Sequence, residues 1–246
     1  MNQTPRTRCV ANRAFHEPVP QLILTLLVGT SASHAQTAAA VAVAHPVNTP
    51  LVTQVIVPPM EKIHDPSVWR IVNRGATLHD EGGKKFVRFD NPGLPGNAWV
   101  VGTDFHQGIL EVDLRGRNTP QQSFVGIAFR GVDEKKRDAV YFRTFNFQNP
   151  ERRTRAVQYE SRPEHPWNEL RENRPGKYEA AVNPVPGPED WFHVRIVVQG
   201  CKVSVYVNDS ATPSLVVTEL TDRAGGMVGL DGINADFANL KIMPEN

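Results

Sequence analysis

The chain has 246 residues and a nearly balanced charge, with 27 lysines and arginines against 26 aspartates and glutamates. This balance lacks the basic excess with which proteins bind a phosphate backbone, so nucleic acid is not an expected partner. With 40% hydrophobic and 22% charged residues, the composition is too apolar for a disordered chain and too polar for a membrane bundle. The length accommodates one large all-β domain or two small ones.

The first 35 residues have the pattern of a signal peptide. A leader with three arginines precedes the apolar run LILTLLV at 22–28, and the sequence Ser-His-Ala that ends at Ala35 supplies small residues where signal peptidase reads them. We expect cleavage after Ala35 and a secreted or periplasmic mature protein. The run is shorter than the about 20 apolar residues that span a bilayer, so no membrane span is expected in the mature chain. A buried helix or a disordered extension is the alternative interpretation.

The next segment, 36–60, is rich in alanine, valine, threonine and proline, as flexible linkers often are. Within it, the stretch around 52–57 has the composition of an edge strand. The sequence therefore divides into a signal peptide at 1–35, a linker at 36–60 that includes this optional strand, and a single domain at 61–246.

Within the domain, alternation of apolar and polar residues is the dominant pattern. In GILEVDLR (108–115) the apolar residues from Leu110 onward point to one face and the charged residues to the other, and FVGIAFR (124–130) and VYFRTF (140–145) repeat this pattern. WFHVRIVVQGCKVSVYV (191–207) shows it on both sides of a Gln-Gly turn, which predicts a hairpin. Further strands are predicted at 85–89, 98–102, 155–159, 215–219, 227–230 and 237–242.

Helical periodicity is confined to about one turn, where Trp167, Leu170 and Arg171 share a face. About a dozen short strands, separated by glycine, proline and asparagine, indicate two packed antiparallel sheets. The sequence therefore predicts an all-β fold, a sandwich of two sheets.

The order of these segments resembles a known superfamily. GILEVDLR, FVGIAFRG, VYFR, AVQY, WNELR, WFHVRIVVQGCKVSVYVND and VGLDGINADFANLKI follow one another as in the concanavalin A-like lectin/glucanase superfamily. The resemblance extends to its laminin-G-like sandwiches and to exported bacterial domains grouped with keto-disaccharide hydrolases, and it covers about residues 69–243. It implies a jelly-roll sandwich whose concave face binds saccharide. The superfamily contains lectins, hydrolases, lyases and non-catalytic modules, so the fold does not select a function.

One departure from the resembled pattern concerns metal binding. Related carbohydrate modules often end in Phe-Asp-Asn, whose aspartate helps to hold a structural calcium, whereas this chain has Phe237-Ala238-Asn239. Two further acids, Asp231 and Asp236, do not by themselves form a cage for a hard cation. The histidines also lack a spacing typical of zinc ligands. We predict neither a metal nor a cofactor.

Glu111 and Asp113 are the candidate catalytic residues. Alternate residues of a strand project from one face with Cα atoms about 7 Å apart, so two carboxylates can flank one bond, as glycosidic cleavage requires. Hydrolases of the resembled superfamily carry Glu-x-Asp-x-x-Glu on a concave strand, but Gly116 holds the last position here, so the motif is incomplete. The alternative is that both carboxylates pair with neighbouring arginines on a solvated sheet face.

A set of polar and aromatic residues predicts a ligand-binding surface. If the alternation is right, Arg130, Tyr141 and Arg143 share the face that carries Glu111 and Asp113. Small residues on the strand of Arg130 leave space on that face for a ligand. Aromatic rings stack on the C–H faces of sugars, and guanidinium groups bind hydroxyls or carboxylates through paired hydrogen bonds. The predicted ligand-binding residues are Arg130, Tyr141, Arg143, Gln158, Trp167 and Arg171. The alternative is an ordinary solvated face, and the register of the strand around Gln158 is open.

The leading hypothesis is an exported protein that binds a saccharide or glycan on the concave face of its sandwich. Two alternatives stay open. One is a glycoside hydrolase or lyase that uses Glu111 and Asp113 as an acid and base pair. The other is a structural or adhesion module without catalysis.

Overall fold

The computed structural model describes residues 54–94 and 96–245. The predicted signal peptide at 1–35 and most of the predicted linker at 36–60 lie outside the described residues. No helix in the part of the chain that is described is long and apolar enough to span a membrane.

The described chain begins against the last strand of the domain. Ile56, which belongs to the stretch expected to form an edge strand, makes an isolated antiparallel bridge with Ile242. A 3₁₀ helix follows at Met60–Lys62, and Met60 is buried in the core. The end of the predicted linker is therefore in contact with the domain.

The strands form two sheets, in which the neighbouring strands pair antiparallel. Sheet A has the order β1 (Trp69–Val72), β4 (Asn97–Val100), β13 (Met227–Ile233), β6 (Phe124–Gly131), β7 (Arg137–Phe142), β8 (Val157–Arg162) and β9 (Glu179–Ala180). Sheet B has the order β12 (Leu215–Thr218), β11 (Lys202–Val207), β10 (Phe192–Gln199), β5 (Gly108–Arg115), β14 (Ala235–Pro244), β3 (Lys84–Phe89) and β2 (Ala76–Glu81). The predicted all-β sandwich of two antiparallel sheets is confirmed.

Alternation along the strands packs the two sheets against each other. On β5, Leu110, Val112 and Leu114 are fully buried, whereas Glu111 and Asp113 between them are half-buried on the outer face. The same core contains, from sheet A, the side chains of Val125, Ile127, Phe129, Val140, Phe142, Val157 and Tyr159. Because burial of one such side chain contributes about 1.5–3 kcal/mol, this shared layer fixes which residues of each strand turn outward.

The observed elements differ from the predicted ones mainly at their ends. Strands β1, β2 and β9 are not among the predicted strands. Of these, β2 is largely exposed and β9 has only two residues, so neither gives a clear alternation pattern. The strand predicted at 140–145 ends at Phe142, because the chain turns into a 3₁₀ helix at Thr144–Asn146, and another 3₁₀ helix lies at Arg153–Arg155. The predicted helical turn is confirmed as helix α1, Trp167–Asn173.

The assignment of strands to sheets overturns one expectation. Strand β5 lies in sheet B, whereas β6 and β7 lie in sheet A. Glu111 and Asp113 therefore do not share a face with Tyr141, and the core separates them. Alternation identifies the two faces of a strand, but it does not identify the sheet to which the strand belongs.

Candidate functional site

A row of residues in register crosses the outer face of sheet A. In the strand registers, Asp231 lies opposite Gly126, Gly126 opposite Tyr141, and Tyr141 opposite Gln158. The whole row consists of Asn97, Asp231, Gly126, Tyr141, Gln158 and Glu179. The open register is thereby resolved, because Gln158 lies on the same face as Tyr141.

Arg143 forms hydrogen bonds with the residues in the middle of this row. Its Nη2 donates to the Tyr141 hydroxyl at 2.9 Å, and both Nη atoms lie 3.4 Å from Oε1 of Gln158. Nη1 also donates to the carbonyl oxygen of Arg155 at 3.1 Å. Burial raises the pKa of Tyr141 and lowers that of Arg143. The phenol therefore stays protonated, with its oxygen held by a guanidinium.

Trp167, the first residue of helix α1, lies beside these groups with its side chain 38% exposed. Its ring centroid is 5.8 Å from the guanidinium carbon of Arg143 and 4.9 Å from that of Arg171, which are cation–π contacts. Arg171 in turn donates from Nη2 to Oε2 of Glu179 at 2.6 Å. The helix therefore places a partly exposed aromatic ring in contact with two arginines.

Five of the six predicted ligand-binding residues are thus brought together. We call this set the arginine–tryptophan cluster, and it consists of Tyr141, Arg143, Gln158, Trp167 and Arg171. Their role in binding a ligand stays a prediction.

A cavity of about 410 Å³ lies on the outer face of sheet A beside this cluster. We call it the sheet A groove. Its volume is within the range of small-molecule sites, and its lining combines aromatic rings with charged groups. Residues that line it include Phe124, Tyr141 and Trp167, the arginines Arg74, Arg137 and Arg162, and the carboxylates Glu160 and Asp231.

The two groove carboxylates are each held by an arginine. Oε1 of Glu160 lies 2.7 Å from Nε of Arg162, and its Oε2 accepts a hydrogen bond from the backbone N–H of Trp167 at 3.3 Å. Oδ2 of Asp231 accepts from Nε and Nη2 of Arg137, at 3.1 and 2.8 Å. Burial alone would lower the pKa of Arg162, but the charge and hydrogen bond of Glu160 raise it. The groove therefore contains two arginine–carboxylate pairs.

Sequence reasoning did not single out these charged groove residues, although the signal was present. The predicted strands end at 159 and 230, one residue before Glu160 and Asp231. Glu160 is two residues from Gln158 on one strand, and Arg137 is four residues from Tyr141 on another, so each pair shares a face. If the alternation had been followed to the observed ends of these strands, the charged groove residues would have been identified.

Arg130 does not join the groove, and the expectation that it shares the face of Tyr141 is wrong. The ladder between β6 and β13 is irregular there, and Arg130 has a left-handed φ of 49°. Its side chain instead donates from Nε to the carbonyl oxygen of His106 at 2.7 Å and pairs with Glu219 at 2.8 Å. Buried Asp138 lies 3.8 Å away. The local backbone therefore turns this arginine into a buried ionic cluster away from the groove.

Asp113 lies on the outer face of sheet B and is fully engaged there. Its carboxylate is 2.7 Å from Nζ of Lys84 and 2.9 Å from Nδ1 of His193, and it accepts from Nδ2 of Asn239 at 2.8 Å. Burial would raise the pKa of Asp113, but these three hydrogen bonds hold it well below its usual range. The carboxylate is therefore ionised and committed to its neighbours.

Glu111 has cationic neighbours on both adjoining strands. It lies opposite Arg195 on β10 and Lys241 on β14, and the Lys241 ammonium is 3.6 Å from Oε2. These surroundings match the structural interpretation of Glu111 and Asp113. Their use as an acid and base pair stays a prediction.

The aspartate that directly precedes the stretch departing from the calcium-binding pattern is bound by arginines. Fully buried Asp236 accepts hydrogen bonds from Arg88, Arg115 and Arg117. Among residues 54–94 and 96–245, no group of three or more His, Cys, Asp or Glu side chains is arranged to hold a metal ion.

Comparison with known families identifies the domain. Residues 64–243 match the sequence model of the 3-keto-alpha-glucoside-1,2-lyase-like domain, which is more than half of the chain. The chain belongs to this family. The resemblance to keto-disaccharide hydrolase-type domains of the concanavalin A-like superfamily is thereby confirmed. No curated protein matches the sequence.

Solved structures confirm the jelly-roll fold of the lectin/glucanase type. A β-glucanase of Bacillus licheniformis superposes with a TM-score of 0.52 at 12% identity, covering 78% of this chain and 98% of the glucanase. A Bacillus subtilis protein of unknown function with a galectin-like fold superposes with a TM-score of 0.51 at 12% identity, covering 76% and 94%. At these identities the likeness concerns the fold alone.

Proposed function

We propose that the sheet A groove binds a saccharide. The observation that carries the proposal is the convergence of Tyr141, Trp167 and Phe124 with arginine and carboxylate side chains around one cavity of about 410 Å³. Aromatic rings offer flat apolar surface for the C–H face of a sugar, and paired charged groups offer directional hydrogen bonds to its hydroxyls. Membership of a family described by a glucoside lyase supports a glucoside as the ligand.

Tyr141 is the proposed hydrogen-bond donor to this saccharide. Its oxygen accepts the hydrogen bond from Arg143 at 2.9 Å, so its own hydrogen remains for an acceptor in the groove. Burial raises the pKa of the phenol, which keeps that hydrogen in place across the physiological pH range. Trp167 supplies a stacking surface at the rim.

The proposed place of action is outside the cytoplasm. The leader pattern at 1–35 supports export and a secreted or periplasmic mature protein. N-terminal sequencing of protein recovered from the culture medium or periplasm tests this. A mature chain that starts at Gln36 supports the proposal, and a chain that keeps its leader contradicts it.

A binding experiment tests the groove. Isothermal titration with a panel of glucosides and their 3-keto forms is expected to find a ligand that also raises the melting temperature of the protein. Tyr141→Phe and Trp167→Ala should each weaken that ligand by about tenfold or more. Tyr206→Phe is a matched control, because Tyr206 lies on sheet B under Arg195. Absence of any ligand, or equal weakening by the control, contradicts the proposal and favours the structural or adhesion module.

The family description supports a second candidate function, an elimination reaction on a 3-keto-glucoside. The ketone at C3 acidifies the hydrogen on C2, so a carboxylate base can remove that proton. The C2–H electron pair forms the C1=C2 double bond, while the C1–O bond breaks and its electrons stay on the aglycone oxygen. The aglycone takes up one proton, directly from the base or through water, and no oxidant is needed.

Asp231 is the proposed base for this elimination. It lines the groove and is 15% exposed, and both hydrogen bonds from Arg137 go to a single oxygen, Oδ2. Glu160 is less suited, because it is almost completely buried and both of its oxygens have contacts. Tyr141 is placed on the same row to donate to the ketone oxygen as negative charge develops on it.

Two variants separate the candidate acid–base sets. With 4-nitrophenyl 3-keto-α-glucoside, Asp231→Asn should lower the release of nitrophenol by at least about a hundredfold. Glu111→Gln should leave it within about twofold. The opposite result would favour the pair Glu111 and Asp113 as the catalytic groups. If neither variant changes the rate, elimination by either set is excluded, whereas saccharide binding is judged by the titration above.

A further inference from the structure

The charged side chains around Trp167, which lie beside the groove and do not line it, carry more positive than negative charge. Three arginines share the single carboxylate of Glu179, with N–O distances of 2.6 Å to Arg171, 3.9 Å to Arg155 and 4.0 Å to Arg143. The side chains of Glu179 and Arg143 are only 7% and 8% exposed, whereas that of Arg155 is 49% exposed, so water balances the charge of Arg155 but contributes little at Arg143. One carboxylate neutralises one guanidinium, and positive charge is left over.

Arg143 is the least compensated of the three. The carboxylates that act on it are Glu179 and Glu160, and each has a shorter contact with another arginine, at 2.6 Å to Arg171 and at 2.7 Å to Arg162. The hydrogen bonds of Arg143 go to neutral oxygens, those of a phenol, a side-chain amide and a backbone carbonyl. Its side chain is only 8% exposed. A guanidinium withdrawn from water in this way favours an incoming anion.

The ring of Trp167 brings a ligand to this charge. It contacts the guanidinium groups of Arg143 and Arg171, at 5.8 and 4.9 Å, and it also lines the groove. A sugar ring that stacks on Trp167 is therefore placed beside both arginines. Of the arginines that line the groove, Arg137 pairs with Asp231 and Arg162 with Glu160, whereas Arg74 donates to backbone carbonyl oxygens.

We propose, building on the saccharide-binding function proposed above, that the saccharide is acidic. It carries a carboxylate, as an aldonic or uronic acid does, and this group pairs with Arg171 and Arg143 at the Trp167 end of the groove. Guanidinium groups bind carboxylates through two parallel hydrogen bonds, which gives both affinity and orientation.

Matched pairs of neutral and acidic sugars test this inference. Titration compares maltose with maltobionate, and methyl α-glucoside with methyl α-glucuronide. At about 0.05 M salt the acid of each pair should bind about tenfold more tightly, and the difference should shrink at about 0.5 M salt, where charges are screened over a few ångströms. Equal affinity within both pairs overturns the inference but leaves saccharide binding intact. If no sugar binds, the proposed function itself fails.

Two variants with opposite expected effects locate the acid-binding group. Arg171→Met removes one cation and frees Glu179 to pair with Arg143, so the affinity for the acid should fall more than that for the neutral sugar and the preference should disappear. Glu179→Gln removes the competing carboxylate, so the preference should increase. Arg195→Met is the matched control, because Arg195 also stacks on an aromatic ring, at 4.3 Å from that of Tyr206, but on sheet B. Equal preferences in all three variants contradict the proposed position of the acid.

Discussion

Gly126 and Tyr141 face each other across the β6–β7 ladder at a separation that leaves no room for a side chain at Gly126. A Cβ added to Gly126 would lie 2.1 Å from the carbonyl oxygen of Val140, and 2.5 and 2.7 Å from Cα and Cβ of Tyr141. The obstruction is mainly backbone, which cannot rotate away. The glycine therefore allows the close approach of β7 and fixes the position of Tyr141 in the groove.

The first prediction follows from this contact. Gly126→Ala should lower the free energy of unfolding by about 1–3 kcal/mol, because β7 must move outward to accommodate the methyl group. Binding of saccharide should weaken with it, since Tyr141 moves with the strand. Urea denaturation and titration measure the two effects. Val216→Ala, at an exposed position of β12, is the control and should change stability by less than about 0.5 kcal/mol. An unchanged stability of Gly126→Ala would contradict the argument.

The second prediction concerns the buried carboxylate of Asp236. It lies within 2.9 Å of nitrogen atoms of Arg88, Arg115 and Arg117 and has no exposed surface. Asp236→Asn should lower the free energy of unfolding by about 3–5 kcal/mol, because Arg117 would lose its carboxylate partner and Arg88 and Arg115 would keep only the exposed Glu81. Glu81→Gln is the control, since Glu81 contacts Arg115 and Arg88 but is 51% exposed, and its loss should cost much less stability than the loss of Asp236. Equal costs for the two variants would refute this account.

The third prediction is a pH dependence of stability from His193 and Asp113. The hydrogen bond to Asp113 raises the pKa of His193 above its usual 6.5, although burial opposes this. The stabilisation from His193 is therefore complete below about pH 6.5 and is lost as the pH rises through the higher pKa of the folded protein. The stabilisation from the lowered pKa of Asp113 is present above about pH 3.8 and is lost as the pH falls below that.

Comparison of two pH values measures this effect. The free energy of unfolding of the unmodified protein should exceed that of His193→Gln by more at pH 6 than at pH 9, in urea denaturation. Val216→Ala provides a control, because it changes no titratable group and should show the same difference at both pH values. A difference for His193→Gln that does not vary with pH would show that the pair is not linked to folding.

The fourth prediction uses the tryptophans as reporters of the groove. Trp167 is 38% exposed, whereas Trp69 and Trp99 are buried, so acrylamide should quench the fluorescence of Trp167 preferentially. Saccharide binding should protect it, and the protection should vanish in Trp167→Phe but persist in Trp191→Phe, where the substituted side chain is half-buried. Protection that survives the loss of Trp167 would place the ligand elsewhere.

Much of the fold could be predicted because alternation reports burial directly. The strand predicted at 108–115 coincides with β5, and the hairpin at 191–207 contains β10 and β11. The same alternation placed Tyr141 outward on its strand, and one helical turn was enough to bring Trp167 and Arg171 together. Local periodicity was sufficient for these residues because their neighbours on the same element determine their direction.

The other features of the site could not be predicted, because they depend on which strands pair with one another. Consecutive strands β5 and β6 lie in different sheets, so the acidic pair Glu111 and Asp113 is separated from the groove, and no local pattern encodes this crossover. Arg130 departs from its strand because of an irregular ladder with a distant segment of the chain and a left-handed φ. Asp231 reaches the groove only because β13 pairs with β6, far away in the sequence.

The contacts within the arginine–tryptophan cluster affect both the rate and the affinity of ligand binding. Arg143 holds the Tyr141 hydroxyl and contacts the Trp167 ring. Arg171 contacts the same ring and is held by Glu179. Freezing a freely rotating side chain on association costs about 0.5–1.5 kcal/mol, and this preorganised surface avoids much of that cost. Association should then resemble rigid docking, with a single kinetic phase whose rate rises in proportion to ligand concentration.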